Sequence, residues 1–206
     1  MSETLSAEAV VEEVLTLLRA SGGDQYFGEA VSKLQHAEQC AWHARQAGAD
    51  EELVLAALLH DIGHLFDVEG TERDERVGVV NHDEMGEQWL LARGFSERLA
   101  RLVGGHVDAK RYLTATNASY MERLSAASVE TLKLQGGPMS ATDAAVYATE
   151  PCLKDMLRLR TWDEMAKDPG WTGPGLESYR EMLLRHLARA SDEGEPIQVN
   201  QLQTPP

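Results

Sequence analysis

The stretch Leu53-Val54-Leu55-Ala56-Ala57-Leu58-Leu59-His60-Asp61-Ile62-Gly63-His64 decides the fold. An uninterrupted apolar run of this length can be a buried strand or a buried helix. Its Ala and Leu content favours helix over strand. Asp50 stands where an N-cap belongs, so the helix begins there and leaves the core at His60-Asp61, presenting two metal-ligand types together. Further candidates of the same types flank it: His36 upstream, and His82, His106 and Asp163 downstream.

Outward from that helix the hydrophobic period stays helical. Val10, Val11, Val14, Leu15 and Leu18 form one apolar face, which Ser21-Gly22-Gly23 should end. A helix carrying His36, Cys40, Trp42 and His43 runs up to Gly48. Residues 66–81, rich in charge and containing Gly70 and Gly78, read as a loop. Helices resume over His82–Arg93 and Ser96–Val107, separated by Gly94. After the Gly136-Gly137-Pro138 break, Ser140 with Asp143 marks another helix start. Two more helices are expected around Leu153–Trp162 and Glu177–Ala190. Ser191 to Pro206 reads as a loose polar tail, leaving residues 1–190 as one domain. The fold class expected is therefore all-α.

Composition narrows the function classes. The 206 residues suit one compact domain, and 43% of them are hydrophobic. No apolar stretch approaches the roughly 20 residues that a membrane-spanning helix needs. The opening Met1-Ser2-Glu3-Thr4 lacks a basic region followed by an apolar one, so no secretory signal is expected. Cys40 and Cys152 are the only cysteines, which fits reduced thiols in the cytoplasm rather than a disulfide framework. A formal charge of −15 argues against nucleic acid as a partner, because phosphate backbones require clustered Lys and Arg. An anionic small molecule would have to be met by a local basic pocket. A homo-oligomer is compatible with this composition.

His36, His60, Asp61, His82, His106 and Asp163 lie on separate predicted helices, which is how a helical scaffold converges ligands on a core metal site. Imidazoles with carboxylates suit iron, manganese or zinc, while the absence of a Cys pair at finger-like spacing argues against a structural zinc site. Asp61 is the natural bridge between two ions, since a shared carboxylate fixes their separation and offsets their repulsion. The spacing leaves two chemistries open: a two-metal hydrolase that activates water, or a redox pair that binds dioxygen.

The order His36, His60-Asp61, His82, His106, Asp163 resembles the HD-domain superfamily, and the finer pattern resembles its mixed-valent diiron oxygenase branch. The resemblance is closest to the 2-amino-1-hydroxyethylphosphonate dioxygenase group. It is carried by Tyr26-Phe27-Gly28-Glu29-Ala30, by Leu55 to His64, by Gly105-His106-Val107 with Lys110-Arg111-Tyr112-Leu113, by Gln135-Gly136-Gly137-Pro138-Met139, and by Arg160-Thr161-Trp162-Asp163-Glu164. It implies a single helical bundle with a dinuclear site in its core and two irons in an Fe(II)/Fe(III) active state. His36, His60, Asp61 and Asp163 would hold one ion; Asp61, His82 and His106 would hold the other. It further implies that His64, Lys110, Ser128 and Arg160 surround a phosphonate, that Tyr26 covers an iron position at rest, and that Glu29 meets the substrate's ammonium end. The substrates implied are dioxygen and a 1-hydroxy-2-ammonioethylphosphonate. The small residues Gly78-Val79-Val80-Asn81 before His82 favour the trimethylammonio form, which would give glycine betaine and phosphate.

Other residues have plainer readings. His43 and His186 match no motif and read as packing or surface. Trp42, Trp89 and Trp162 read as core. The charged run Glu69 to Arg76 reads as a solvated loop placed where a lid would sit. Ser128 would be an ordinary cap or surface residue without the resemblance.

Overall fold

A computed structural model describes residues 5–20, 23–26, 28–66, 73–74, 78–79 and 81–193. Along these the chain is helical: α1 Ala7–Ala20, α2 Lys33–Gln46, α3 Glu51–Leu59, a 3-10 turn Ile62–Leu65, α4 His82–Leu91, α5 Glu97–Gly104, α6 His106–Thr116, α7 Ala118–Met121, α8 Ala126–Leu134, α9 Ala141–Tyr147, α10 Leu153–Met165, a second 3-10 turn Leu176–Tyr179, and α11 Arg180–Glu193. The exception is a small antiparallel ladder in the segment read as loop, where β1 Arg73–Asp74 pairs with β2 Gly78–Val79. The neighbouring positions of that segment, including most of the proposed lid, lie outside the described residues.

α3 is the axis of the bundle. Leu53 to Leu59 are buried on every face, which is why the run shows no amphipathic period. Burial of each leucine contributes roughly 1.5–3 kcal/mol, and such a core offsets the cost of enclosing polar ligands at the helix end. Asp50 caps α3 by accepting from the Leu53 amide at 2.9 Å, as the sequence predicts. α2 and α5 pack on α3, α10 lies across α2, α3 and α6, and α11 packs on α1 and α3. α2 opens with a full capping box, Ser32 and Gln35 bonding reciprocally.

Two glycines place the functional elements. A Cβ at Gly63 would stand 1.9 Å from the His82 carbonyl oxygen, so only glycine lets the turn after His60-Asp61 touch the start of α4. Gly105 marks a departure from the expected helix Ser96–Val107, which is in fact two helices meeting at that residue. A side chain there would strike Met156 of α10 at 2.4 Å, and the Gly105 carbonyl accepts from the Tyr147 hydroxyl at 2.9 Å. The chain re-aims at this point, and α6 opens with His106. Helices α7 and α8 carry no strong apolar period and were not expected. The final helix runs past Ala190 to Glu193, shortening the expected tail, the rest of which lies outside the described residues.

Candidate metal centre

Four imidazoles converge beside the end of α3, each held by its own backbone bond. The Nδ1–H of His60 donates to the Ala57 carbonyl at 2.9 Å, that of His82 to Val79 at 3.1 Å, and that of His106 to Val103 at 2.7 Å. In each case the acceptor lies three residues earlier. His36 instead donates to the carbonyl of Ala166, the residue that caps the end of α10, at 2.9 Å. A carbonyl can only accept, so every Nδ1 carries a proton and the Nε2 atoms are the ones left to meet a cation. Those Nε2 atoms meet in twos: His36 and His60 face each other at 3.1 Å, and His82 faces His106 at 3.1 Å. Each such pair calls for a proton or a metal cation between its two nitrogens.

The carboxylates complete two groups of ligand atoms, His36 with His60 and Asp163, and Asp61 with His82 and His106. Asp163 Oδ1 lies 3.3 Å from His36 Nε2. Asp61 spans both groups, with Oδ2 at 3.4 Å from His60 Nε2 and Oδ1 at 3.4 Å and 3.5 Å from His82 and His106 Nε2. Its Oδ2 is buried without a hydrogen-bond partner among the described residues, as a coordinating oxygen would be. Burial disfavours the charge on Asp61, but the surrounding imidazoles, His60 foremost, hold its carboxyl well below the usual range. Asp163 is likewise buried and held low, chiefly by the charge of Arg160. This donor set fits a pair of divalent or trivalent cations sharing one carboxylate.

A cavity opens on one side of the cage, and Tyr26, Glu29, Asp61, His64, Lys110, Ser128, Arg160 and Asp163 all line it. His36 and His60 lie wholly buried behind it. Tyr26 stacks on the His36 ring at a centroid distance of 3.9 Å, and burial with the nearby Asp61 charge pushes its phenol well above the ordinary range. It stays protonated at neutral pH. His64 stacks on His82 at 3.7 Å, and burial drives it well below the usual imidazole range, so it is a neutral ring. Phe27, within the Tyr26-Phe27-Gly28-Glu29-Ala30 motif, lies outside the described residues.

The three basic groups of the cavity differ in how they are held. Arg160 donates through Nε to the Tyr120 hydroxyl at 3.0 Å, through Nη1 to the second oxygen of Asp163, and through Nη2 to Glu164. It is a fixed cation that also orients a proposed metal ligand. Lys110 donates to Thr131 Oγ1 at 2.8 Å, and its burial, with Arg160 nearby, brings its pKa down to about 7. Its charge is therefore conditional. Lys167 is the residue that sequence reasoning missed: its Nζ donates to Glu29 Oε1 at 2.9 Å, to Ser125 Oγ at 3.0 Å and to Ser128 Oγ at 3.4 Å. The available signal was its position three and four residues after Glu164 and Asp163, two residues past the end of their helix.

Neither His43 nor His186 joins the cage. His186 is buried and accepts the Ser96 amide at 3.2 Å, a structural role. Trp89 and Trp162 are core residues, whereas Trp42 is only half-buried.

A family model described as HD domain matches residues 34–144. The chain is 37% identical over 176 residues to the [1-hydroxy-2-(trimethylamino)ethyl]phosphonate dioxygenase (glycine-betaine-forming) of Leisingera caerulea, covering 85% of this chain and 89% of that one. It is 37% identical over 168 residues to the hydroxymethylphosphonate dioxygenase of Gimesia maris, covering 80% and 83% of the two chains. An uncharacterised protein of Acanthamoeba polyphaga mimivirus is 32% identical over 183 residues, covering 88% and 84%.

Proposed function

The chain belongs to the HD-domain family, and from that premise we propose that it uses dioxygen to cleave the carbon–phosphorus bond of a 1-hydroxyphosphonate, releasing phosphate and a carboxylic acid. The observation that carries the reading is the divided Asp61 carboxylate, one oxygen directed at each pair of imidazoles. Two relatives that cover 85% and 80% of the chain have phosphonate dioxygenase names, which supports an oxygenase over the hydrolase that the cage alone would allow.

His36, His60, Asp61 and Asp163 would hold one iron, and Asp61, His82 and His106 the other. Bound there in an Fe(II)/Fe(III) state, the pair would supply dioxygen activation and chelation of the substrate's hydroxyl and phosphonate oxygens. Around it, Lys110, Arg160, the Ser128 hydroxyl and the neutral His64 would orient the phosphonate, two cations and two neutral donors for three oxygens. Tyr26, a protonated phenol stacked on His36, would cover one metal position until substrate arrives. Oxidation of the carbinol carbon to a carboxylic acid with loss of phosphate removes four electrons, the number dioxygen accepts, so no external reductant enters the turnover.

For a 2-ammonio substrate, Glu29 would attract the cationic end, the primary amine giving glycine and the trimethylated form glycine betaine. A second reading, a substrate with no charged end, is favoured by the ion pair that Glu29 already makes with Lys167.

Phosphate release from the iron-loaded protein should stop when dioxygen is removed and should depend on a partly oxidised iron pair. Turnover that continues anaerobically, or with zinc or magnesium in place of iron, would exclude the oxygenase.

The conditional charge of Lys110 predicts a pH effect with a definite sign. With a pKa of about 7, its ammonium is present below that pH and is lost above it. A phosphonate dianion binds the charged form, so KM should rise with pH above about 7, by on the order of tenfold towards pH 9, as a charge-assisted hydrogen bond of roughly 1.5–3 kcal/mol is lost. Lys110→Arg keeps its charge throughout and should flatten that limb; the substrate's own ionisation is common to both proteins. Parallel KM profiles would show that Lys110 does not meet the anion.

A further inference from the structure

The Lys167 ammonium has three donors, and all three are used. They meet the Glu29 carboxylate, Ser125 Oγ and Ser128 Oγ. Both members of the ion pair are largely enclosed, with side chains 17% and 16% exposed, and both line the cavity beside the metal cage. Lys167 is also placed firmly. The preceding residue, Ala166, accepts the Nδ1–H of the proposed ligand His36, and the Lys167 amide donates to the Met165 carbonyl at 2.9 Å. The charged groups nearest it are Glu29 and Glu164, whose Oε2 lies 3.8 Å away. Glu164 is itself taken up by Arg160. Ser128 accepts from Lys167, which leaves its own hydroxyl hydrogen available to a phosphonate oxygen.

Resting on the hydroxyphosphonate reading above, we propose that Lys167 is a specificity-determining residue that fills the cation seat opposite Glu29 with the protein's own ammonium, selecting substrates with no positive charge on the carbon next to the carbinol. A substrate ammonium entering the same seat would have to displace Lys167 from Glu29 or lie against it. Like charges brought together in an enclosed site oppose one another with little screening. The class preferred is a short 1-hydroxyalkylphosphonate with an uncharged end, of which hydroxymethylphosphonate is the smallest. Its reaction balances: the carbon–phosphorus and carbinol C–H bonds break, both atoms of dioxygen enter the products, and formate and phosphate result.

The test measures kcat/KM for phosphate release by the iron-loaded full chain on hydroxymethylphosphonate, 1-hydroxyethylphosphonate, and the 2-amino and 2-trimethylammonio forms of the latter. The wild type should favour the two uncharged substrates by at least about tenfold, the factor that corresponds to 1.4 kcal/mol of like-charge opposition. Lys167→Met keeps the length but uncovers Glu29, so the ratio of ammonio to uncharged efficiency should rise at least about tenfold. Lys167→Arg should retain the wild-type ratio, and Glu29→Gln combined with Lys167→Met should cancel the gain. Iron content and the unfolding midpoint of each variant separate a changed preference from a damaged fold. A wild-type preference for either ammonio substrate, or a ratio that Lys167→Met moves by less than about threefold with iron retained, would overturn the role of Lys167. Failure of all four substrates to release phosphate with dioxygen would instead remove the function on which it rests.

Discussion

Asp61→Ala is expected to leave the protein with neither ion and to abolish phosphate release. The reason is geometric. Among the described residues, Asp61 is the one carboxylate whose two oxygens face different imidazole pairs, at 3.4 Å from His60 on one side and 3.4 Å from His82 on the other. Without it, one group keeps two imidazoles and Asp163, and the other keeps two imidazoles alone. Two cations in adjacent seats would then repel with no shared anion between them. Losing metal-based charge stabilisation of several kcal/mol, at 1.36 kcal/mol per tenfold, lowers turnover on the order of a thousandfold or more. Asp61→Asn keeps the shape without the charge and should retain at most one ion. Elemental analysis per chain, read beside phosphate release, decides this. A full complement of two irons in the Ala variant would show that Asp61 is not the bridge.

The second large effect concerns Arg160, whose substitution should damage the fold as well as the pocket. This guanidinium is 4% exposed and lies between Asp163 and Glu164, with Tyr120 on its Nε. Its charge is the main influence holding the Asp163 carboxyl low against the cost of burial. Arg160→Met would leave two carboxylates close together without their cation. Breaking a buried pair from one side costs about 3–5 kcal/mol. That loss should be read in chemical unfolding of the metal-free protein, and it should shrink in the iron-loaded protein, where the ion supplies part of the missing charge to Asp163. Arg160→Lys retains a charge but not the fork that reaches Asp163 and Glu164 together, so it should recover only part of the stability. Equal unfolding midpoints for wild type and Arg160→Met, metal-free and loaded, would mean that the ion pair contributes nothing to the fold.

Much of this centre is legible in the sequence. The apolar run into His60-Asp61 implies a helix buried on all sides that delivers ligands at its end, and α3 does this because nothing in Leu53 to Leu59 asks for solvent. The six proposed ligands are recognisable by type and order, and the structure brings all six together. What stays hidden depends on contacts between distant parts of the chain. The break between α5 and α6 falls at Gly105, where a Cβ would meet the Met156 side chain of α10, a neighbour that no local period encodes. By its sequence position Lys167 is one more surface cation just past the end of a helix. Its place in the cavity becomes visible only once Ala166 is known to accept from His36. Arg160 is expected from its motif to serve the phosphonate, and only the packed structure reveals that it also braces Asp163.

The backbone bonds to the imidazoles also set an order of assembly. His60, His82 and His106 are each oriented by a carbonyl three residues back, so their rings can be aimed as soon as the local turns form. With Asp61 they span fewer than 50 consecutive residues. His36 is aimed by a carbonyl 130 positions away, and its carboxylate partner Asp163 arrives on the same distant helix. Closing the longer loop adds only about 0.6 kcal/mol per doubling of length, so the two seats need not differ much in final strength. They differ in history. The seat of Asp61, His82 and His106 belongs to a contiguous stretch of chain, whereas the other exists only after α10 has docked, and local opening of α10 would dissolve it first.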